Sequence, residues 1–113
     1  MATRIVYRDF HDVPRAFVAR HNGITLFFDC PFDDHVDEYP DEYHVYLMPE
    51  LSPSDLDDSW VGLSRKSTRH LVTLPIDELE FDSTRRISIE SVILDRISKD
   101  YELGHPNRYL YCS

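Results

Sequence analysis

The chain has few of the residues that build common functional motifs. Its three glycines are widely separated, so it lacks the clustered glycines of a phosphate-binding loop. The two cysteines, Cys30 and Cys112, form no CxxC pair, and we expect free thiols, with a Cys30–Cys112 bridge as the alternative. No apolar run approaches the length of about 18 residues that spans a bilayer, and the first ten residues resemble no secretory signal. These absences predict a cytoplasmic protein with no cofactor.

Positive charge is missing from a long stretch of the chain. Between His21 and Ser64 the sequence has eleven carboxylates and no lysine or arginine. Residues 1–20 carry a net charge of +2 and residues 65–113 a net charge of zero, so the middle third, at −11, holds more than the whole net charge of −9. Such a concentration indicates one acidic face that attracts a basic partner. It disfavours nucleic acids and anionic membranes as partners.

Length and composition predict one folded domain over residues 1–113. The hydrophobic content of 42% is ordinary for a globular domain, and thirteen phenylalanines and tyrosines supply large core side chains.

Strand patterns dominate the first half. Thr3–Phe10 alternates between its two faces, as a half-buried strand does. Arg15–His21 and Ile24–Cys30 flank Asn22-Gly23, a strong signal for a tight hairpin. Ile24–Cys30 is almost continuously apolar, which predicts a strand that is buried on both faces or central in the sheet. Tyr43–Met48 is predicted to be the fourth strand.

Helix signals begin in the second half. Ser52-Pro53-Ser54-Asp55 places a hydroxyl, a proline and a carboxylate where a helix start favours them. Leu56, Trp60 and Leu63 would form one buried stripe on this helix.

Beyond this helix the pattern predicts two strands and a final helix. His70–Leu74 reads as a fifth strand that ends at Pro75, and Leu79–Phe81 reads as a short edge strand. Ser88 is the predicted cap of a helix that extends to about Ser98. Its predicted buried face has four aliphatic side chains: Ile89, Val92, Ile93 and Ile97.

This element order predicts an α+β fold. We expect a curved antiparallel sheet of about five strands with one or two helices packed on one face. A small, partly open barrel is the alternative, because five short strands can curl.

One connection stands out from the rest of the chain. Pro31–Glu42 is long for a loop in a compact domain, and it carries six carboxylates, one histidine and no cation. Asp55, Asp57 and Asp58 have an ordinary role at the start of a helix, where the helix dipole favours negative charge. The functional prediction therefore rests on the loop.

The sequence predicts a small acidic, non-enzymatic protein-binding module without catalytic residues. It would cover the basic surface of a partner protein, as an inhibitor or immunity-like protein does. Tyr39 and Tyr43 are included in the predicted contact surface because interface cores favour tyrosine, whereas Phe32 and Trp60 are expected in the core of the protein. The predicted contact residues are Asp33, Asp34, Asp37, Glu38, Tyr39, Asp41, Glu42 and Tyr43.

Two alternatives remain open at the level of sequence. The first is a metal-binding domain or a metal-dependent enzyme that uses oxygen and imidazole ligands, although the loop lacks the glycine and spacing of a calcium loop. Its ligands would be Asp33, Asp34, His35, Asp37 and His44. The second is a globular domain whose acidic loop only confers solubility.

Overall fold

The fold is α+β and is built on a six-stranded antiparallel sheet. The computed structural model describes residues 2–11, 13–38, 40–57, 60, 62–81, 88–101 and 103. The elements are β1 (Ala2–His11), β2 (Val13–His21), β3 (Ile24–Asp29), β4 (Glu42–Met48), α1 (Pro53–Asp57), β5 (Arg69–Pro75), β6 (Ser88–Glu90) and α2 (Ser91–Asp100). The strand order is β5-β4-β3-β2-β1-β6, and the sheet is not closed into a barrel. The predicted fold class is confirmed with one strand more than expected, and the barrel alternative is wrong.

The β2–β3 hairpin forms as the sequence predicts. Asn22 and Gly23 both have positive φ, at 53° and 78°, which is the requirement of a type I′ turn. The register places Phe17 opposite Phe28 and Val18 opposite Phe27. Successive side chains of these two strands therefore point to opposite faces of the sheet, and both faces are apolar.

Each face of the central strands is covered by a different part of the chain. On one face α2 packs over Phe17 and Phe28, whose rings stack with centroids 4.5 Å apart. On the other face Val18 and Phe27 are covered by Leu51, Leu56, Trp60 and Leu63, and the Trp60 and Phe27 rings meet edge to face at 83°. Double coverage explains why β3 is nearly all apolar in sequence.

The start of α1 is confirmed and its length is shorter than expected. The backbone N–H of Ser52 donates to Asp55 Oδ2 at 2.9 Å, and the backbone N–H of Asp55 donates to Ser52 Oγ at 3.3 Å. This reciprocal pair is the arrangement of a capping box. Leu56, Trp60 and Leu63 do lie in one cluster, although Leu63 belongs to a separate 3₁₀ turn, Leu63–Lys66.

The start of the second helix was predicted wrongly. Ser88 does not cap a helix, because Ser88–Glu90 is β6 and pairs with β1. Ile89 is buried as a strand residue, and the helix begins at Ser91. This shift rotates the helix relative to the predicted face, so Val92 is 71% exposed and Leu94 is buried instead.

Two hydrogen-bonded links hold α2 on the sheet. Thr3 Oγ1 lies 2.6 Å from Ser91 Oγ, and His21 Nε2 lies 2.6 Å from Asp95 Oδ1. The predicted edge strand at Leu79–Phe81 is reduced to one antiparallel bridge between Phe81 and Ile89. No helix in the described ranges is both long and apolar enough to cross a membrane. Cys112 and its proposed bridge lie outside the described residues.

Candidate functional site

The segment Pro31–Glu42, hereafter the acidic loop, forms a small hairpin of its own. Asp33 and Glu38 exchange two backbone hydrogen bonds, at 2.9 and 3.3 Å. The carboxylate of Asp33 also accepts the backbone N–H of His35 at 2.9 Å, which stabilises the turn. Asp37 has a φ of 54°, a conformation that aspartate and asparagine tolerate better than most residues. These contacts give the tip of the loop a defined conformation.

The base of the acidic loop is tied to the body of the protein. The Cys30 thiol donates to the carbonyl of Pro40 at 3.1 Å, and Arg15 Nη1 donates to the same oxygen at 3.3 Å. The backbone N–H of Ile76 donates to the carbonyl of Asp41 at 2.9 Å. Since Arg15 is only 8% exposed, its contact with Pro40 lies mostly out of water.

Below the loop lies a buried polar contact. The Tyr43 hydroxyl donates to the Pro14 carbonyl at 2.6 Å, in a buried environment. Burial raises the pKa of Tyr43 well above its usual value of 10. Burial also raises the pKa of the Cys30 thiol, and this effect exceeds the lowering by Arg15. Both effects of burial favour the neutral thiol, which donates its hydrogen bond to Pro40.

The predicted contact residues divide into four groups. Asp33 is half-buried, whereas Asp34, Asp37, Glu38, Asp41 and Glu42 are exposed. Tyr39 lies outside the described residues. Tyr43 is fully buried and packs against Phe17, so its assignment as a contact residue is wrong. It sits on the core face of β4, and its alternation with Val45 already indicated that position.

Two apolar side chains of the loop are exposed among the carboxylates. Phe32 is 44% exposed and Val36 is 59% exposed. Phe32 was expected in the core, and that expectation is wrong because it follows Pro31 in irregular structure beyond the end of β3. Trp60, in contrast, is 9% exposed, as predicted.

Arg15 is a residue that the sequence prediction missed. It supports the loop from a buried position in β2. The alternation of β2 could have revealed this position. Arg15 lies on the same face of the strand as Phe17 and Ala19, which both belong to the main core.

The acidic loop is not neutralised by the described part of the chain. Ion pairs elsewhere join Arg20 to Glu50, Lys66 to Asp55 and Arg96 to Glu78. Among the described residues, none of the six loop carboxylates forms an ion pair with a lysine or arginine. The loop therefore presents to solvent carboxylates that have no ion-pair partner among the described lysines and arginines.

An open depression of about 460 Å³ lies beside the loop, and it bears on the metal alternative. Asp33, Asp34, His35, Glu42 and His44 contribute to its lining. In the described ranges, however, no three histidine, cysteine, aspartate or glutamate side chains converge as metal ligands. The His44 ring instead lies 3.3 Å, measured from Nδ1, from Thr73 Oγ1 of β5. This arrangement adds no support for a metal centre.

Comparisons with known proteins leave the function to be argued from this site. No family model matches the chain, and no curated protein or solved structure is significantly similar to it. The features that bear on function are a structured loop, uncompensated carboxylates and two exposed apolar side chains.

Proposed function

We propose that this protein is a non-enzymatic binding module whose acidic loop covers a basic surface of a partner protein. The proposal rests on two features of the acidic loop: its base is tied to the sheet, and its tip is exposed. Arg15, Cys30 and Ile76 hold the base of the loop, while Phe32 and Val36 project among carboxylates without cationic partners in the described chain.

This arrangement suits protein recognition for a physical reason. A loop that is already ordered loses less conformational entropy on binding than a disordered acidic tail would lose. Exposed carboxylates accelerate association with a basic surface and select against acidic partners. Apolar side chains between them supply the contact area that excludes water at the centre of an interface.

An inhibitor or immunity-like role is the specific form of this proposal. Proteins that act on nucleic acids present cationic surfaces, and a small acidic module can cover such a surface. This form is supported by the charge and size of the protein, which are those of small acidic inhibitors. The partner is therefore described by its chemistry, as a basic protein.

The proposal is tested with a loop variant and a charge-matched control. The loop variant is Asp34→Asn, Asp37→Asn and Glu38→Gln, and asparagine tolerates the positive φ at position 37. The control removes the same number of charges at three exposed carboxylates away from the loop: Glu50→Gln, Glu80→Gln and Asp100→Asn.

The probe is ribonuclease A, a small basic protein, titrated into the isotopically labelled protein and followed by amide chemical shifts. We expect shifts centred on residues 32–38, and a loss of affinity of about tenfold in the loop variant but not in the control. High salt should weaken the binding of ribonuclease A to the wild-type protein by a similar factor, because it screens the loop charges. Equal losses in both variants would support the solubility alternative, and shifts centred elsewhere or salt-independent affinity would overturn the proposal.

A further inference from the structure

Two histidines line the open depression beside the acidic loop. His35 is exposed in the turn of the loop, and His44 is half-buried on β4. They share this space of about 460 Å³ with the carboxylates of Asp33, Asp34 and Glu42. We call it the loop depression, and its lining therefore combines groups of fixed and of variable charge.

The charge of the loop depression depends on the protonation of its two histidines. The three carboxylates contribute −3 and each imidazolium adds +1, so protonation of both rings changes the formal charge of this lining from −3 to −1. Histidine ordinarily gains its charge between about pH 8 and pH 5, whereas aspartate and glutamate ordinarily stay ionised down to about pH 4. The depression is therefore most attractive to a cation at neutral pH and above.

Both rings can take up a proton without loss of a described hydrogen bond. The Nδ1 atom of His44 lies 3.3 Å from Thr73 Oγ1, and a hydroxyl can accept from an imidazolium or donate to a neutral ring. His35 contacts Asp33 through its backbone N–H, so this contact is independent of its ring. Protonation therefore changes the charge of the surface and leaves the described contacts of the loop in place.

Other charged and titratable groups surround the two rings. They are Asp37 and Glu38 of the loop, Asp29 of β3, Tyr46 of β4, His70 of β5 and Arg15 of β2. The His70 ring lies 5.5 Å from the ring of His44, and Arg15 donates to the carbonyl of Pro40, which also lines the depression. All of these groups are present with and without a partner, so the effect of a bound cation is added to theirs.

We propose that His35 and His44 make the binding of a basic partner at the acidic loop dependent on pH, with tighter binding above about pH 7 than below about pH 6. A lysine or arginine side chain of the partner would lie between the carboxylates of the loop depression and beside both imidazoles. Like charges in contact repel, so the bound cation disfavours the imidazolium forms. The inference rests on the proposed function, because it concerns the same loop and the same class of partner.

Proton linkage sets the direction and the size of the effect. The complex holds fewer protons than the free protein in the pH range in which histidine titrates, so its affinity rises with pH over that range. One proton fewer in the complex corresponds to about a tenfold change in affinity for each pH unit. We expect binding at about pH 5.5 to be about tenfold weaker than binding at about pH 7.5.

The test uses decalysine with both termini blocked as the probe. Its ammonium groups ordinarily stay charged up to about pH 10, so the charge of the probe is constant over the range of the experiment. Calorimetric titration at constant ionic strength gives the affinity at both pH values. Titrations at about pH 6.5 in buffers of different ionisation enthalpy give the number of protons released on binding, and we expect about one. Amide chemical shifts should place the bound probe at residues 32–38.

A pair of variants identifies the responsible histidines. His35→Gln with His44→Gln keeps polar side chains at both positions but removes their titration, so the affinity should become independent of pH and proton release should disappear. His21→Gln is the control, since it removes a histidine at the end of β2, where the ring contacts Asp95, and it should behave as the wild type does. If the double variant loses its circular dichroism spectrum, the exposed His35→Gln alone provides the test and should lower proton release by about half.

The outcomes distinguish this inference from the proposed function. Equal affinity at the two pH values, tighter binding at the lower one, or a folded double variant with the pH dependence of the wild type overturns the inference. In each of these cases, loop-centred binding at about pH 7.5 leaves the proposed function standing. If neither decalysine nor ribonuclease A shifts the loop amides at about pH 7.5, the proposed function fails, and this inference fails with it.

Discussion

Tyr43→Phe removes a single oxygen atom from the core beneath the acidic loop. The Tyr43 hydroxyl donates to the Pro14 carbonyl at 2.6 Å, and both residues are fully buried. Phenylalanine fills the same space and preserves the edge contacts of the ring with Phe17 and Phe28. The substitution therefore isolates one hydrogen bond, without the cavity that a smaller side chain would leave.

The expected loss of stability comes from the Pro14 carbonyl, which stays buried but loses the Tyr43 hydroxyl as its donor. A buried carbonyl without its donor costs about 1–3 kcal/mol, so we expect the free energy of unfolding to fall by about 2 kcal/mol. At about 4 °C per kcal/mol for a chain of this size, the melting temperature should fall by about 8 °C. Urea unfolding at neutral pH measures the change, with an unaltered m value as the sign of an unaltered unfolded state. Tyr101→Phe is the control, with a change within about 0.5 kcal/mol.

Alkaline pH supplies a second test of the same contact. The folded pKa of Tyr43 is raised by burial above the unfolded value of about 10. The unfolded state therefore releases its proton first, and the stability that comes from burying the neutral phenol declines as the pH rises above about 10. The difference in the free energy of unfolding between the wild type and Tyr43→Phe should therefore narrow as the pH rises above about 10. A loss below about 0.5 kcal/mol at neutral pH, or a constant difference up to alkaline pH, would refute the reasoning.

Three further predictions concern the capping box, the base of the loop and the metal alternative. Hydrogen bonding, first from the Ser52 backbone, lowers the pKa of Asp55 to about 2, below its unfolded value of about 3.9. Its stabilising effect should be present above about pH 4 and decline as the pH falls towards 2, and Asp55→Asn should lack this decline in acid denaturation. Arg15→Met should accelerate hydrogen exchange of the two bridging amides in the acidic loop more than exchange in β2 and β3, and uniform acceleration would contradict a local role. Calorimetric titration with Mg²⁺, Ca²⁺, Mn²⁺ and Zn²⁺ should show no binding tighter than millimolar, whereas tighter binding abolished by His44→Ala would restore the metal alternative.

Features that depend on neighbouring residues were predictable from the sequence. The Asn22-Gly23 turn and the reciprocal Ser52–Asp55 cap form as expected because their hydrogen bonds and φ values are satisfied within a few residues. The nearly all-apolar β3 was correctly interpreted as buried on both faces, since a half-exposed strand usually alternates apolar and polar residues.

Features that depend on distant contacts were predicted less well. Ser88–Glu90 has the composition of a helix start, but pairing with β1 holds it in a strand. Tyr43 stands beside the acidic loop in sequence, yet its position on β4 directs it into the core.

The strand order has a consequence for the protein during its synthesis. Each of β1 to β5 pairs with its neighbour in sequence, whereas β6 and α2 return to β1 from the far end of the described chain. The meander can therefore assemble on the ribosome before α2 has emerged. Until the helix arrives, Phe17, Phe28 and Leu26 have no helix over them. At that stage the main core of the nascent chain is an exposed apolar surface that is prone to aggregation, and chaperone binding would protect it.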